Sequence, residues 1–252
     1  MNNLSRIKVA MFDLDGTLAK SKQPVDAAGL RLLAALTRKM PVVVVGGGKK
    51  ELFWRQIVRP ISRFNPDLRN LRIMPTNGAS LYLWRKRWVK MYELRLTKAE
   101  GRRIREAVKI ALKRIGFKSP GRRYGNIIED RGAQITFSAL GQGAPLPAKE
   151  AWNRRSDIRL RLLKELRRLL PDLDSHVAGL TSIDITRRGI DKSYAVKRAE
   201  KHFHVKKNEM LFVGDAIFPG GNDYPAKKAG IPCLRVSGPE ETKRIIRGLI
   251  GR

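Results

Sequence analysis

Four short, largely apolar runs punctuate the chain: Ile7–Phe12, Pro41–Val45, Met210–Val213 and Pro232–Val236. Each is nearly continuous rather than alternating, the pattern of strands buried on both faces of a parallel sheet. Between the first two, Leu30, Leu33, Ala34 and Leu36 recur at helical spacing. The same periodicity covers Lys192–His202, Asp223–Ala229 and Pro239–Leu249. Strand and helix therefore alternate at both ends of the chain, which predicts one α/β layer structure assembled from the first and last segments.

The middle follows a different rhythm. Ser80–Trp84 and Arg87–Tyr92 flank the polar pair Arg85-Lys86, which reads as a hairpin. Thr97 followed by Glu100 is a capping box, opening a helix that runs to about Ile115, before Gly116. Ala133–Leu140 alternates as a half-exposed strand, Asp157–Leu170 is an amphipathic helix stopped by Pro171, and Ser182–Thr186 is a further strand. Mixed hairpins and helices between two halves of an α/β core predict an inserted α+β domain at 85–187, with the core formed by 1–84 and 188–252.

Composition narrows the setting. With 252 residues, 42% of them hydrophobic, the chain can bury an adequate core in one large domain or two modest ones. No apolar run approaches the ~20 residues that span a bilayer, and Met1–Arg6 lacks the layout of a signal peptide. A single cysteine, Cys233, excludes an internal disulfide framework and fits a reducing compartment. The expectation is a cytoplasmic protein with no membrane partner. The formal charge of +30 attracts anions, so nucleic-acid binding is carried as an alternative of another class. The Lys and Arg residues are spread along the chain, however, as on solvated helix faces, and a small anionic substrate is favoured over nucleic acid.

In an open α/β sheet, ligands bind beyond the carboxyl ends of the strands. The first run ends in Asp13-Leu14-Asp15-Gly16-Thr17, and the third in Gly214-Asp215, followed by Pro219-Gly220-Gly221-Asn222-Asp223. Two carboxylates one residue apart at a strand end can face the same side, and Gly16 lets the backbone turn away. Asp13, Asp15, Asp215 and Asp223 together offer enough oxygen for a hard octahedral cation, Mg²⁺. Lys192, opening the helix after Gly189-Ile190-Asp191, adds a compact positive charge. Phosphate monoester hydrolysis needs barrier reduction on the order of 20 kcal/mol. A carboxylate nucleophile, a metal and a lysine acting on one phosphoryl group can share that task. The histidines lack metal-ligand spacing, and the four tryptophans read as packing residues.

These motifs, in this order, resemble those of the haloacid-dehalogenase-like (HAD) superfamily, type IIB, whose cap is inserted between the second and third motifs. The resemblance implies a Rossmann-like parallel-sheet core with an inserted type C2B cap. It implies Asp13 as the nucleophile on phosphorus and Asp15 as the acid that protonates the leaving oxygen and then activates the acceptor. It further implies Mg²⁺ held by Asp13, the Asp15 main-chain carbonyl and Asp215 with Asp223 in support, and Lys192 on the transferring phosphate. Val45-Gly46-Gly47, Asn77-Gly78, Ser182-x-Asp184, Gly189-x-Asp191-Lys192 and Pro219–Asp223 are similar, more narrowly, to the eukaryotic-type phosphomannomutases over nearly the whole chain. That likeness gives Arg131, Ser182 and Asp184 to the sugar phosphate, with Gly47, Gly48 and Asn222 on the core side.

Two positions depart from the phosphomannomutase pattern. The hydroxyl residue of the second motif falls at Gly48, so a backbone N–H or Lys49 has to replace it. A cap arginine is replaced by Gln142, with another cation displaced to Arg123 beside Tyr124. A mutase grips phosphate at both ends of a bisphosphate, whereas a phosphatase needs only water as second acceptor. The sequence therefore leads to a sugar-phosphate phosphatase, monomer or homodimer, with phosphomannomutase as the alternative.

Overall fold

A computed structural model describes residues 4–20, 23–154 and 157–251; Met1–Asn3 of the opening stretch lie outside them. By compactness the chain divides into two units, residues 1–93 with 191–252, and residues 94–190.

The first unit is a seven-stranded sheet of order β11-β10-β1-β2-β3-β4-β5. Its strands are β1 (Val9–Asp13), β2 (Val42–Val45), β3 (Leu71–Met74), β4 (Ser80–Arg85), β5 (Arg87–Glu93), β10 (Met210–Gly214) and β11 (Cys233–Arg235). The five from β11 to β3 are parallel, while β4 and β5 add an antiparallel hairpin at one edge. β1, β2 and β10 are buried at every residue, which accounts for their unbroken apolar runs. Ala10, Phe12, Val42 and Val44 face one core with helices α1 (Ala27–Thr37) and α9 (Pro239–Ile250). Val9, Met11, Val43 and Val45 face another with α7 (Lys192–Phe203) and α8 (Tyr224–Lys228). The chain leaves β1 toward β2 on one side and returns in β10 on the other. The strand order thus reverses between β1 and β10, where open α/β sheets form their binding crevice.

The second unit is a four-stranded antiparallel sheet, β6-β7-β9-β8, made of β6 (Ile128–Asp130), β7 (Gln134–Ser138), β8 (Leu173–Ala178) and β9 (Ser182–Arg187). Alternation sorts its two faces. Ile135, Phe137, Ile183 and Ile185 join the apolar side of α4 (Lys98–Arg114) and Leu162, Leu166 of α6 (Ile158–Leu169) in one core. The intervening Gln134, Thr136, Ser138, Ser182, Asp184 and Thr186 form a polar row on the opposite face. Thr97 caps α4 as the sequence predicts, its hydroxyl accepting from the Glu100 N–H at 3.1 Å while the Glu100 carboxylate accepts from the Thr97 N–H at 2.6 Å.

Several elements differ from expectation. The boundary read at residue 85 cuts the hairpin, but β5 pairs along β4 and belongs to the first unit, so the units part at Glu93/Leu94 and Ile190/Asp191. β3, β6 and β8 lack a readable pattern because they are short or interrupted by Arg72, Glu129, Asp174 and His176. Helix α5 (Leu146–Arg154) and the helical stretch after β2, comprising α2 (Lys50–Phe53), a π turn (Trp54–Val58) and α3 (Arg59–Ile61), were not predicted either. No helix among the described residues is long and apolar enough to cross a membrane.

Glu100 also accepts two hydrogen bonds from Arg187, at 2.8 and 2.7 Å, and Arg187 foremost, with the capping N–H, lowers its pKa to about 2. A carboxylate depressed in the folded state stabilises above its unfolded pKa, about 4.3, and loses that contribution as pH falls through the folded value. Glu100→Gln is therefore expected to lower the melting temperature near neutral pH. Between about pH 5 and pH 2 its melting temperature should converge on that of the wild type. Thermal melts of both proteins across that range check it.

Candidate active site

Asp13 ends β1 at the reversal point, and Gly214 ends β10 beside it, with Asp215 next. After Asp15 the chain turns sharply: Gly16 has φ +91°, its N–H bonds the Ala19 carbonyl at 2.7 Å, and the Leu18 and Ala19 N–H groups bond back to Leu14. A Cβ on Gly16 would stand 2.6 Å from an Asp215 carboxylate oxygen, so glycine here serves both the left-handed turn and the approach of the second strand's acid. Thr17, wholly buried, donates its hydroxyl to Asp215 Oδ1 at 3.3 Å.

Lys192 enters from α7. Asp191 caps that helix, its carboxylate accepting the Ser193 N–H at 2.8 Å, so the first helical side chain is aimed inward. The Lys192 ammonium, with no exposed surface, donates to Asp13 Oδ1 at 2.5 Å and to Asp223 Oδ1. The other Asp223 oxygen accepts the Ala216 N–H at 2.9 Å, which folds the Pro219–Asp223 loop back on the end of β10. One oxygen from each of Asp13, Asp215 and Asp223 lies within 4.8 Å of the others, a set that could hold a metal ion. Asp15 stands apart from that trio: its carboxylate accepts from the Gln56 amide at 3.0 Å.

The charges explain one another. Burial raises the Asp13 carboxyl well above the usual carboxylate range against the opposing pull of Lys192, and burial followed by Asp223 raises Asp215. Burial alone would lower Lys192, but Asp13 and Asp223 more than offset it and hold the ammonium charged. Three carboxylates against one ammonium leave a surplus of two negative charges, the complement of a divalent cation.

The second-motif loop is organised by strain. In the turn after β3, Thr76, Asn77 and Gly78 have φ of +50°, +56° and +92°, and a β-branched residue at positive φ is an outlier costing ~1–3 kcal/mol. The Thr76 N–H bonds the Gly48 carbonyl at 3.1 Å and the Asn77 N–H bonds that of Gly46 at 2.9 Å, so the turn clamps Gly46–Gly48. A Cβ on Gly78 would meet Ala195 of α7 at 2.8 Å, and one on Gly46 would stand 3.5 Å from Asp13 Oδ1. At Gly48 the space for a side chain is taken by Leu52, 2.5 Å from a built Cβ.

The second unit gathers three of its four predicted residues on the polar side of its sheet. Asp184 is buried, accepts the Thr136 hydroxyl at 2.7 Å and lies across from His176; burial raises its carboxyl, with Arg131 opposing. Arg131 donates to Glu129 at 2.8 Å and to Gln142 at 3.1 Å, and Ser182 donates to Ser138 at 3.1 Å. Arg123 does not join them: it is exposed and donates to Ser119 at 2.6 Å. Asn222 is half-buried in the loop before Asp223, and Gly47 half-buried in the clamped loop. Sequence reading missed Gln56 and Thr17 as parts of the site; Thr17 lay in the quoted motif, whereas nothing local marks Gln56.

Residues 30–251 match the family model of the eukaryotic phosphomannomutases. The chain belongs to the eukaryotic phosphomannomutase family. Spinach phosphomannomutase is 28% identical over 222 residues, covering 86% of this chain and 84% of the spinach protein. Among solved structures, the IMP-bound, N-terminally truncated IMP-nucleotidase of Plasmodium falciparum superposes with a TM-score of 0.72 at 15% identity, over 99% of this chain and 72% of that one. A HAD-superfamily phosphatase of Bacteroides thetaiotaomicron gives 0.57 at 17% identity, over 97% and 90%. The fold is that of the HAD superfamily, and the chain is a phosphoryl-transfer enzyme.

Removing the shared cation while leaving its acids buried is strongly destabilising. Lys192→Met is expected to lower the unfolding free energy by about 3–5 kcal/mol in urea titrations without divalent cations. Adding Asp223→Asn should recover part of the loss. At about pH 8 the lysine is charged in both states, so the whole effect is visible there. A loss below about 1 kcal/mol would mean that the buried pair contributes little to holding α7 in place.

Proposed function

We propose that the chain is a Mg²⁺-dependent phosphomutase moving phosphate between the 1- and 6-positions of a hexose, mannose in the first instance. The observation that carries the chemistry is Asp13, buried at the strand-order reversal with its oxygen 2.5 Å from the Lys192 ammonium and two further carboxylates beside it. In this reading Asp13 Oδ attacks phosphorus, and the bond to the sugar oxygen breaks while Asp15 protonates that oxygen. The phosphoryl group then passes from Asp13 to the free hydroxyl of a hexose monophosphate as Asp15 takes its proton, so that a hexose 1,6-bisphosphate supplies the group and is regenerated. Asp13, Asp215 and the Asp15 carbonyl would hold Mg²⁺, with Asp223 fixed behind them by Lys192 and Ala216. Bound there, the ion would neutralise phosphoryl oxygens and offset the surplus negative charge. Lys192, already charged, would stabilise the same oxygens without reorganising.

The sequence departures favoured hydrolysis, with mutase as the alternative. The family match and the relatives named phosphomannomutase support the alternative better. Gly48 lies in a loop that the Thr76 and Asn77 N–H groups hold in place. Ser182, Asp184 and Arg131 are proposed as sugar-phosphate ligands of the second unit, Gly47, Gly48 and Asn222 as those of the first. Arg123, which is exposed, is the weakest of the set.

Incubation with mannose 1-phosphate and Mg²⁺, with and without a hexose 1,6-bisphosphate, should yield mannose 6-phosphate only with the bisphosphate. Free phosphate without isomerised sugar would return the assignment to a phosphatase. Asp13→Asn should abolish both products while the far-ultraviolet circular dichroism is kept.

Mg²⁺ at about 100 times its dissociation constant should stabilise the protein by about 2.7 kcal/mol, and Asp215→Asn should remove most of that shift. Because the Asp13 and Asp215 carboxyls are raised, protons compete with the cation sooner than for ordinary carboxylates. The shift is expected to shrink as pH falls, which calorimetry at several pH values checks.

A further inference from the structure

Gln56 is wholly buried in the π turn that follows α2. Pro60, four residues on, has no N–H to give the Gln56 carbonyl. That carbonyl accepts the Val25 N–H at 3.1 Å instead, and the helix widens locally, a distortion that recurs at functional sites. The side chain reaches the same loop: Nε2 donates to Asp15 Oδ1 at 3.0 Å and to the Gln23 carbonyl at 2.6 Å. Both are acceptors, so the amide has one orientation, and Oε1 is then buried with no donor among the described residues. An unmet buried acceptor costs about 1–3 kcal/mol, which an apolar side chain of the same length would avoid. Gln56 is thus a poor choice for stability and a directed one for Asp15.

We propose that Gln56 is a positioning residue that fixes the Asp15 carboxyl, at the Gly16 turn, in the orientation from which it exchanges a proton with the sugar oxygens. The inference rests on the reading of Asp15 as the acid–base group. When Asp13 attacks phosphorus, the electron pair of the broken bond stays on the sugar oxygen, which takes the Asp15 proton. In the return step the ionised Asp15 takes the proton of the accepting hydroxyl. A carboxyl free to rotate would meet these oxygens only part of the time; one tethered through Gln56 to the Gln23–Val25 segment keeps its place in both half-reactions.

The test compares Gln56→Met and Asp15→Asn with two phosphoryl donors in Mg²⁺, following formation of the aspartyl phosphate by rapid quench. A hexose 1,6-bisphosphate releases an alkoxide that needs a proton; acetyl phosphate releases a carboxylate that does not. Gln56→Met should slow phosphorylation by the bisphosphate about 10–100-fold, a fraction of the full general-acid contribution, with KM little changed. Its rate with acetyl phosphate should fall less than about threefold, and its melting temperature should be equal or higher. Unchanged rate with the sugar donor, equal losses with both donors, or a rate loss matched by a lower melting temperature would overturn the proposal. If Asp15→Asn discriminates between the donors and Gln56→Met does not, only the role of Gln56 fails. If Asp15→Asn does not discriminate, the acid–base reading fails and the proposal with it.

Discussion

Lys192 carries an ammonium into a place without solvent and shares it between Asp13, at the end of β1, and Asp223, in the loop after β10. A buried charge is tolerable only when paired and hydrogen-bonded, and here each partner requires the other two. The pairing joins three separate segments of the chain, and it sets the electrostatics of the candidate site. The lysine stays charged, while burial, with the neighbouring carboxylates behind it, raises Asp13 and Asp215. Burial that would be a liability in a structural ion pair becomes useful where phosphoryl charge has to be met by groups already in position.

Around that centre the backbone is made to fit rather than left to relax. The left-handed run Thr76–Gly78 clamps the Gly46–Gly48 loop, and Gly78 is pressed against α7, the helix that bears Lys192. Gly16 brings the first acidic strand end within contact of Asp215. These strained or close-packed points lie at the strand ends, where small errors in placement would be felt by the chemistry. The strand bodies, buried on both faces, supply the rigidity that holds the strain.

The second unit solves a different problem with the same alternation. One face of its sheet is apolar and covered by α4 and α6; the other is a hydrogen-bonded row running through Thr136, Asp184 and Ser138–Ser182, with Arg131 tied to Glu129 and Gln142. Such a row, its side chains bonded to one another, is held rigid by its own hydrogen bonds.

The sequence by itself determined the parallel core, because doubly buried strands must be continuously apolar, as Met11-Phe12 and Val42–Val45 are. It also singled out Asp13, Lys192, Asp215 and Asp223, which the structure brings together, and the capping of α4 by Thr97, because strand ends and helix starts restrict residue type locally. The alternative between mutase and phosphatase followed from Gly48 and Gln142, but read singly those positions pointed to hydrolysis, the reading the family relationship supports less well. What only the tertiary structure decided depends on contacts distant in sequence. Short strands such as β3 and β8 form because neighbours pair with them, not because Leu71–Met74 or Leu173–Ala178 carries a strong pattern. The hairpin's allegiance to the core sheet is a matter of pairing rather than composition. Gln56 meets Asp15 across 41 residues through a turn that Pro60 opens, and no periodicity or spacing announces a contact of that kind.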